Sequence, residues 1–137
     1  MNRTILLVDD DREMLHGLKE SLRGQVEPIS VLLAGDGIEA LQMLKYQPIS
    51  LVVSELKLAR MDGFELLAAV QGSYPDVPVV IITGYSTPDM EQLARQGGAA
   101  GYFVKPFPIE RLAAYILTLV QKESEGGVLH HISSVTF

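Results

Sequence analysis

The sequence contains no cysteine among its 137 residues. This absence excludes a disulfide framework, a thiolate metal site and a cysteine nucleophile, and it makes a cytoplasmic location the default expectation. Basic residues are also few, because 11 lysines and arginines against 17 acidic residues give a formal charge of −6. An acidic chain is repelled by phosphate backbones, so we expect a protein partner or a small ligand and no direct binding of nucleic acid.

Long hydrophobic runs are absent as well. Residues 1–4 lead directly into a short apolar segment, without the extended hydrophobic region of a signal peptide or the roughly 20 apolar residues of a membrane span. We therefore expect neither secretion nor contact with a membrane. The 47% hydrophobic content is sufficient for one packed core, and the length argues against a second complete domain.

The sequence does contain a regular alternation of strand-like and helix-like segments. Short, apolar, mostly β-branched runs predict buried parallel strands at 5–8, 29–34, 51–53, 77–82 and 101–104. The stretches between these runs carry apolar residues at helical spacing, which indicates five βα units. Because such crossovers are right-handed, the prediction is an open α/β sheet with helices on both faces.

Helix starts are indicated by pairs of acidic residues with the three-residue spacing of a capping box. These pairs are Asp10 with Glu13, Asp36 with Glu39, and Asp62 with Glu65. Thr87 before Pro88 marks a further start, and the last helix is predicted from Pro108 to the Gly126-Gly127 pair. The folded unit is thus expected to span 1–123. Segment 124–137 is either a linker or tail, or the start of a further domain.

Polar residues follow the ends of four predicted strands. They are Asp9-Asp10, Ser54-Glu55, Thr83 and Lys105. Because ligands of open parallel sheets bind outside the carboxyl ends of the strands, one fold would gather these residues in one pocket. This convergence is the strongest functional signal in the sequence.

Asp9, Asp10 and Asp11 concentrate carboxylate oxygens at a strand-to-helix junction, which suits a hard divalent cation. The alternative is plain helix capping, since acidic residues are favoured near a helix N-terminus. Glu55 would face the same pocket, where like charges repel unless a cation lies between them. Lys105 is a candidate for that cation, and a structural Glu55–Lys105 ion pair would need no ligand.

Three further features have two interpretations each. Thr83 offers a hydroxyl to an anionic oxygen, but an ordinary strand-end threonine looks the same. The Lys105-Pro106 bond is a candidate cis peptide or simply part of a turn. Tyr102 is expected to be partly exposed on the edge strand, where it either packs or takes part in function.

Four motifs together resemble the receiver domains of bacterial two-component response regulators, over about residues 3–122. They are ILLVDDD at 5–11, MDGFELL at 61–67, ITG at 82–84 and GYFVKPF at 101–107. The resemblance implies a flavodoxin-like doubly wound sheet of five parallel strands in the order 2-1-3-4-5. The implied roles are Mg²⁺ binding by Asp9 and Asp10 with position 55 and the Lys57 carbonyl, phosphoryl contact by Thr83, ion pairing by Lys105, and switching by Tyr102.

The sequence departs from the family at the phosphate acceptor. Seven residues before Asp62, where the family has its aspartate, stands Glu55, and Leu58-Ala59 replaces the usual Met-Pro of the same loop. One extra carbon–carbon bond of about 1.5 Å places the carboxylate where a phosphoryl oxygen would lie. In-line phosphotransfer should then fail. The same reach should let Glu55 approach both Lys105 and Thr83.

We therefore expect an atypical receiver that is not an enzyme, binds Mg²⁺ weakly or not at all, and signals by protein–protein interaction. One alternative is a conventional phosphorelay receiver that still binds Mg²⁺ and accepts a phosphoryl group. Another is a phosphatase resembling the haloacid dehalogenases, with Asp9 and Asp11 as nucleophile and acid. Thr83-Gly84 stands where such an enzyme needs acidic metal ligands, and the chain leaves no room for a substrate-capping domain.

The expected partners, guided by the resemblance, are a histidine kinase or a downstream effector, with an output domain following Phe137 as a further candidate. The expected contact surface, which would also serve a homodimer, is the fourth helix, fifth strand and fifth helix around Met90, Leu93, Tyr102 and Ile109. Glu55 either fixes an active-like state, with Tyr102 turned inward, or an inactive one with Tyr102 outward.

Overall fold

The computed structural model describes residues 3–125, in which five strands and five helices alternate. The strands are β1 (Arg3–Val8), β2 (Ile29–Ala34), β3 (Leu51–Glu55), β4 (Val79–Thr83) and β5 (Gly101–Val104). The helices are α1 (Arg12–Ser21), α2 (Gly37–Tyr46), α3 (Gly63–Ser73), α4 (Pro88–Gln96) and α5 (Ile109–Glu125). All pairings are parallel and the order is β2-β1-β3-β4-β5, which confirms the predicted flavodoxin-like doubly wound sheet.

The strand boundaries differ from the predictions mainly at the sheet's ends. β4 begins at Val79 and not at Val77, because Pro78 has no N–H to donate to the ladder. The Pro78 carbonyl still accepts a hydrogen bond from the N–H of Val52, at 3.0 Å. β3 continues to Glu55, so this residue is part of the strand and is positioned by the sheet itself.

The helix caps confirm three of the predicted starts and correct one. Asp36, Asp62 and Thr87 each accept a hydrogen bond from the backbone N–H three residues ahead. The predicted cap Asp10 is wrong, because α1 begins one residue later and its cap is Asp11. The Oδ1 atom of Asp11 accepts the N–H groups of two residues in the first turn.

The two faces of the sheet carry separate apolar clusters. Alternate residues of β1 point to opposite sides, so Ile5 and Leu7 join one cluster while Leu6 and Val8 join the other. The first cluster packs under α1 and α5, and the second packs under α2, α3 and α4. Each fully buried aliphatic side chain contributes about 1.5–3 kcal/mol, so burial of these two clusters is the main stabilising contribution to the fold.

Gly63 brings the start of α3 into direct contact with the end of β3. A Cβ atom at this position would lie 2.6 Å from the carbonyl oxygen of Glu55 and 2.8 Å from the Cα of Leu56. The N–H of Gly63 donates to the Leu56 carbonyl at 2.9 Å. Only glycine therefore allows this approach of helix to strand end.

The predicted end of the last helix at Gly126-Gly127 and the rest of the 126–137 segment lie outside the described residues, so the choice between a linker and a further domain stays a prediction. Within residues 3–125, no helix has the length and apolar character needed to cross a membrane.

Candidate functional site

The carboxyl edge of the sheet brings together the side chains that the sequence singled out. Asp9 follows β1, Glu55 and Thr83 end β3 and β4, and Lys105 follows β5. Backbone hydrogen bonds hold Asp9 and Lys105 in place. The Asp9 N–H donates to the Ala34 carbonyl at 3.0 Å, and the Lys105 N–H donates to the Thr83 carbonyl at 2.8 Å. The Lys105-Pro106 peptide bond is cis, in line with one of its two sequence interpretations.

Lys105 binds two carboxylates at once. Its Nζ atom lies 3.0 Å from Oδ2 of Asp9 and 3.1 Å from Oε1 of Glu55. The three side chains are 24%, 4% and 14% exposed, respectively, so the ion pairs are largely withdrawn from water. The predicted Glu55–Lys105 ion pair is therefore present, and Asp9 shares it.

The remaining carboxylate oxygens of this cluster are also engaged. Asp9 Oδ1 accepts the N–H of Asp11 at 3.2 Å, and Glu55 Oε2 accepts the N–H of its neighbour Leu56 at 2.7 Å. Among residues 3–125, no group of three or more histidine, aspartate or glutamate side chains is arranged to hold a metal ion. In this arrangement the cation that joins Asp9 to Glu55 is the Lys105 ammonium.

The electrostatics of the cluster differ between the lysine and Asp9. Burial raises the pKa of Asp9 above its ordinary value, and this effect outweighs the hydrogen bond from Lys105 that acts in the opposite direction. For Lys105, burial alone would lower the pKa, but its hydrogen bonds to Asp9 and Glu55 prevail and raise the pKa. The Lys105 ammonium thus has two carboxylate partners, whereas Asp9 and Glu55 have the same single ammonium as their charged partner.

Thr83 forms no hydrogen bond with Glu55. Its hydroxyl donates to the carbonyl of Tyr85 at 2.9 Å and accepts the N–H of the same residue at 3.0 Å. The expectation that Glu55 would reach both Lys105 and Thr83 is therefore correct for Lys105 only. The side-chain hydroxyl of Thr83 instead fixes the backbone of the loop after β4.

Tyr102 is buried, and the prediction that it would be partly exposed is wrong. Its side chain is 2% exposed and packs in the cluster beneath α4, because β5 directs Tyr102 and Phe103 to opposite faces of the sheet. The Tyr102 hydroxyl lies 2.8 Å from Oγ of Ser86, so either group can donate the hydrogen bond. No sequence pattern distinguishes Ser86, which is one of several hydroxyl residues in its loop.

Two further side-chain contacts join the loops around the site, and no sequence pattern predicts either of them. The Lys57 ammonium lies 4.4 Å from the centre of the Tyr85 ring, which is a cation–π contact. Arg60, whose φ is 65°, donates two hydrogen bonds to the Asp36 carboxylate. Its Nε lies 2.9 Å from Oδ2, and its Nη2 lies 3.0 Å from Oδ1. A hydrogen bond from the Glu39 N–H, helped by Arg60, lowers the pKa of Asp36.

A doubly wound five-stranded sheet with acidic, hydroxyl and lysine side chains at its carboxyl edge is the arrangement that the resemblance to receiver domains implies. The chain matches the family described as response regulator receiver domain over residues 5–117 and belongs to that family. It is accordingly a receiver domain of response regulators in two-component signalling.

Individual relatives agree with this assignment. The chain is 37% identical over 128 residues to the response regulator protein FleR of Pseudomonas aeruginosa, covering 92% of this chain and 25% of that protein. It is 33% identical over 122 residues to the response regulator MprA of Mycobacterium tuberculosis, covering 89% of this chain and 52% of that protein. The chain thus spans about a quarter and about half of these two relatives.

A solved structure agrees in fold. The signal receiver domain of an HD domain-containing protein from Pseudomonas fluorescens matches with a TM-score of 0.81 and 28% identity, covering 91% of this chain and 99% of that one.

Proposed function

We propose that this receiver domain signals through protein–protein contacts without a phosphorylation cycle, with Glu55 in place of the phosphorylated aspartate. The observation that carries the proposal is the 3.1 Å contact between Oε1 of Glu55 and Nζ of Lys105. In this position Glu55 supplies a permanent negative charge to the lysine at the end of β5. Phosphorylation acts in switch proteins by adding such a local charge.

The length of the glutamate side chain supports the same conclusion. Its extra bond of about 1.5 Å moves the carboxylate toward the lysine and away from an aspartate's position. A displacement of that size spoils the alignment that group transfer requires, since even about 1 Å can cost a hundredfold in rate. Glu55 is therefore suited to imitate charge and poorly suited to accept a phosphoryl group.

The position of Tyr102 favours the active-like form of the proposal over the inactive one. A domain locked inactive was expected to hold this aromatic outward, whereas Tyr102 is 2% exposed and hydrogen-bonded to Ser86. The inward position does not rely on Thr83, whose hydroxyl is bound to Tyr85. In this proposal, Ser86 and the packing beneath α4 hold the switch residue.

The second candidate function is a conventional phosphorelay receiver. One observation favours it: the side chain of Asp10 is exposed beside the Asp9–Lys105 pair and is open to a cation. That function requires Mg²⁺, which would have to compete with Lys105 for Asp9 and Glu55. We propose that Mg²⁺ binding at Asp9, Asp10, Glu55 and the Lys57 carbonyl is weak or absent for this reason.

The proposed contact surface is formed by α4, β5 and α5. Leu93 and Val104 are exposed on it, at 54% and 46%, while Met90 and Ile109 are partly buried. Tyr102 is buried beneath this surface and supports it by packing. Of the β5 side chains, Val104 is the one exposed on the surface. A histidine kinase, a downstream effector or a second copy of the chain would bind here.

The wider role follows from the family. We propose a cytoplasmic signalling domain that has no enzymatic activity and does not bind nucleic acid itself, with an output domain after Phe137 as a further candidate. The phosphatase alternative loses its proposed acid, because the Asp11 side chain caps α1 through two backbone N–H groups.

Intact mass spectrometry after incubation with acetyl phosphate and Mg²⁺ tests the proposal. The native protein should show no phosphoryl adduct, and Glu55→Asp, which restores an aspartate at the acceptor position, should show one. An adduct on the native protein would support the phosphorelay alternative and contradict the proposal.

A second experiment tests whether the Glu55 charge holds the inward state. Glu55→Gln removes the charge with little change of shape, and Glu55→Asp retains the charge on a shorter chain. NMR spectra should show the Tyr102 ring resonances shifted in the glutamine variant, in the direction of a more exposed ring. Unchanged Tyr102 resonances would show that packing alone positions this residue.

A further inference from the structure

The loop that follows β3 is attached to the start of α2 at two consecutive positions. Arg60 donates to the Asp36 carboxylate through Nε at 2.9 Å and through Nη2 at 3.0 Å. Beside this pair, a Cβ atom at Gly37 would lie 2.9 Å from both the Cβ and the carbonyl oxygen of Met61. The absence of a side chain at Gly37 therefore allows the loop to lie directly against the helix start.

These contacts join two strand ends that are not neighbours in the sheet. Asp36 follows β2 and Arg60 follows β3, and β1 lies between these two strands. The backbone hydrogen bonds of the sheet link β2 and β3 to β1 but not to each other. The Arg60–Asp36 pair therefore supplies a connection between the loop and α2 that the sheet does not supply.

Arg60 lies in a tight turn whose backbone conformation needs support from outside the turn. Its φ of 65° falls in the left-handed region, which is unfavourable for a residue with a side chain. The Met61 N–H donates to the Ala59 carbonyl at 2.7 Å across this turn. Residues 56–62 contain no proline, so no ring restricts the backbone of the loop. The ion pair with Asp36 is a contact that holds Arg60 in this conformation.

The Asp36 side chain is suited to hold a partner because α2 already orders it. Its Oδ1 accepts the Glu39 N–H at 2.9 Å, and the side chain is 16% exposed. Pairing with this carboxylate therefore requires little further ordering on the acidic side. The Arg60 side chain is 59% exposed, so dissolved ions screen the pair and weaken it.

We propose that Asp36, Gly37, Arg60 and Met61 form a clasp that ties the loop after β3 to α2, and that loss of the Arg60–Asp36 ion pair lets this loop open while the sheet stays folded. The loop leads from Glu55 to α3. The clasp thus controls how firmly the chain beyond the acidic residue is held, and ionic strength controls the clasp. This inference does not depend on how the domain signals.

Exchange of backbone amide protons with solvent, measured by NMR on the full chain at low salt, tests the clasp. The Met61 N–H reports on the loop, and the Val52 N–H, which donates to Pro78 at 3.0 Å, reports on the sheet. In the native protein the Met61 amide should be protected, and urea should accelerate exchange at Val52 but not at Met61, because a local opening exposes little surface. An unprotected Met61 amide, or equal urea dependence at both amides, would overturn the proposal.

The variant Arg60→Met removes the ion pair. An exposed pair shifts an equilibrium by roughly two- to fivefold, so the Met61 amide should exchange faster by about that factor. Arg23→Met is the matched control, because it removes an exposed arginine pair with Glu20 that lies away from the loop. It should leave the Met61 rate native. Equal Met61 rates in the two variants would contradict the clasp.

Asp36→Ser tests the acidic partner while it keeps the helix cap. Serine accepts the Glu39 N–H nearly as well as aspartate does, but its hydroxyl is too short and uncharged to replace the carboxylate. Exchange at Met61 should be accelerated as in Arg60→Met, and the double variant should show no further acceleration, because both changes remove one interaction. Accelerations that multiply in the double variant would show that the two residues act independently and would overturn the proposal.

Ionic strength provides a test without any change at the acidic partner. Between about 0.01 M and about 1 M salt the screening length falls from about 30 Å to about 3 Å. The roughly two- to fivefold ratio of Met61 exchange rates between Arg60→Met and the native protein should fall toward one. A ratio that stays constant would contradict the clasp. None of these measurements involves phosphorylation, Mg²⁺ or a partner, so their outcome is separate from that of the proposed function.

Discussion

Residues 5–8 of β1 and 51–53 of β3 are apolar and 0% exposed, whereas Asp9 and Glu55, a step or two further along the same chains, are carboxylates bound to one lysine. The sheet interior gains stability from burial of apolar surface, which needs no exact partner. The carboxyl edge instead holds charges that are tolerated only because each has a partner. Substitutions in the interior should therefore lower stability through lost apolar burial, and substitutions at the edge should lower it through lost charge partners.

The largest effect is expected in the interior. Leu66 of α3 is 0% exposed, and Leu66→Ala should lower the free energy of unfolding by about 3 kcal/mol because it leaves a cavity. Urea denaturation measures this loss. Leu93→Ala is the control, since Leu93 is 54% exposed and should change stability by less than about 0.5 kcal/mol. Similar losses at both positions would break the comparison.

Removal of the shared cation should have the next largest effect. Lys105→Met leaves Asp9 and Glu55 without their partner and should cost about 2 kcal/mol at neutral pH, between the values for exposed and buried pairs. The raised pKa of Lys105 means that its contribution is complete below the ordinary value of 10.5 and is lost as pH rises through the higher folded value. Urea titrations at neutral and alkaline pH should show both effects.

Removal of one carboxylate should have a smaller effect of a different kind. Because burial raises the pKa of Asp9, this group favours folding only at low pH, and its contribution is lost as pH rises from 3.8 through the folded value. Asp9→Asn should therefore change stability by less than about 1 kcal/mol at neutral pH, with Lys105 still bound to Glu55. A loss as large as that of Lys105→Met would show that Asp9 is the essential partner.

The smallest effect is expected at the exposed Arg60–Asp36 contact. The pKa of Asp36 is lowered, so its contribution is present above the ordinary value of 3.8 and disappears as pH falls through the folded value. Asp36→Asn should therefore lower stability slightly at neutral pH and leave stability below the folded pKa unchanged, so that the acid side of the stability curve becomes flatter. Arg60→Met separates the two partners of Asp36, since it removes the guanidinium and leaves the Glu39 N–H in place.

The same comparison explains what the sequence could predict. Strands, helices and the caps Asp36, Asp62 and Thr87 depend on neighbours in the chain, so local patterns were sufficient for them. The N-cap of α1 was missed by one residue because Asp10 and Asp11 are chemically alike. The convergence of Glu55 and Lys105 followed from the topology of parallel sheets.

The remaining features depend on long-range geometry. The burial of Tyr102 is decided by which face of β5 lies beneath α4, and its bond to Ser86 spans 16 residues. The hydrogen bonds between Arg60 and Asp36 join residues that are 24 positions apart in the sequence. No local pattern marks either partner, because exposed arginines and loop serines are common. The sequence shows the altered Leu58-Ala59 step, but no local pattern marks the Lys57–Tyr85 contact beside it.

Gly63 gives the edge of the sheet a mechanical connection to the rest of the domain. With less than 3 Å between its missing Cβ and the main chain of Glu55 and Leu56, strand end and helix start have no slack between them. Because of this close contact, a displacement of the main chain at position 55 also displaces the first turn of α3. The main chain at position 55 is therefore coupled by direct contact to α3, and the loop of Tyr85 and Ser86 leads into α4.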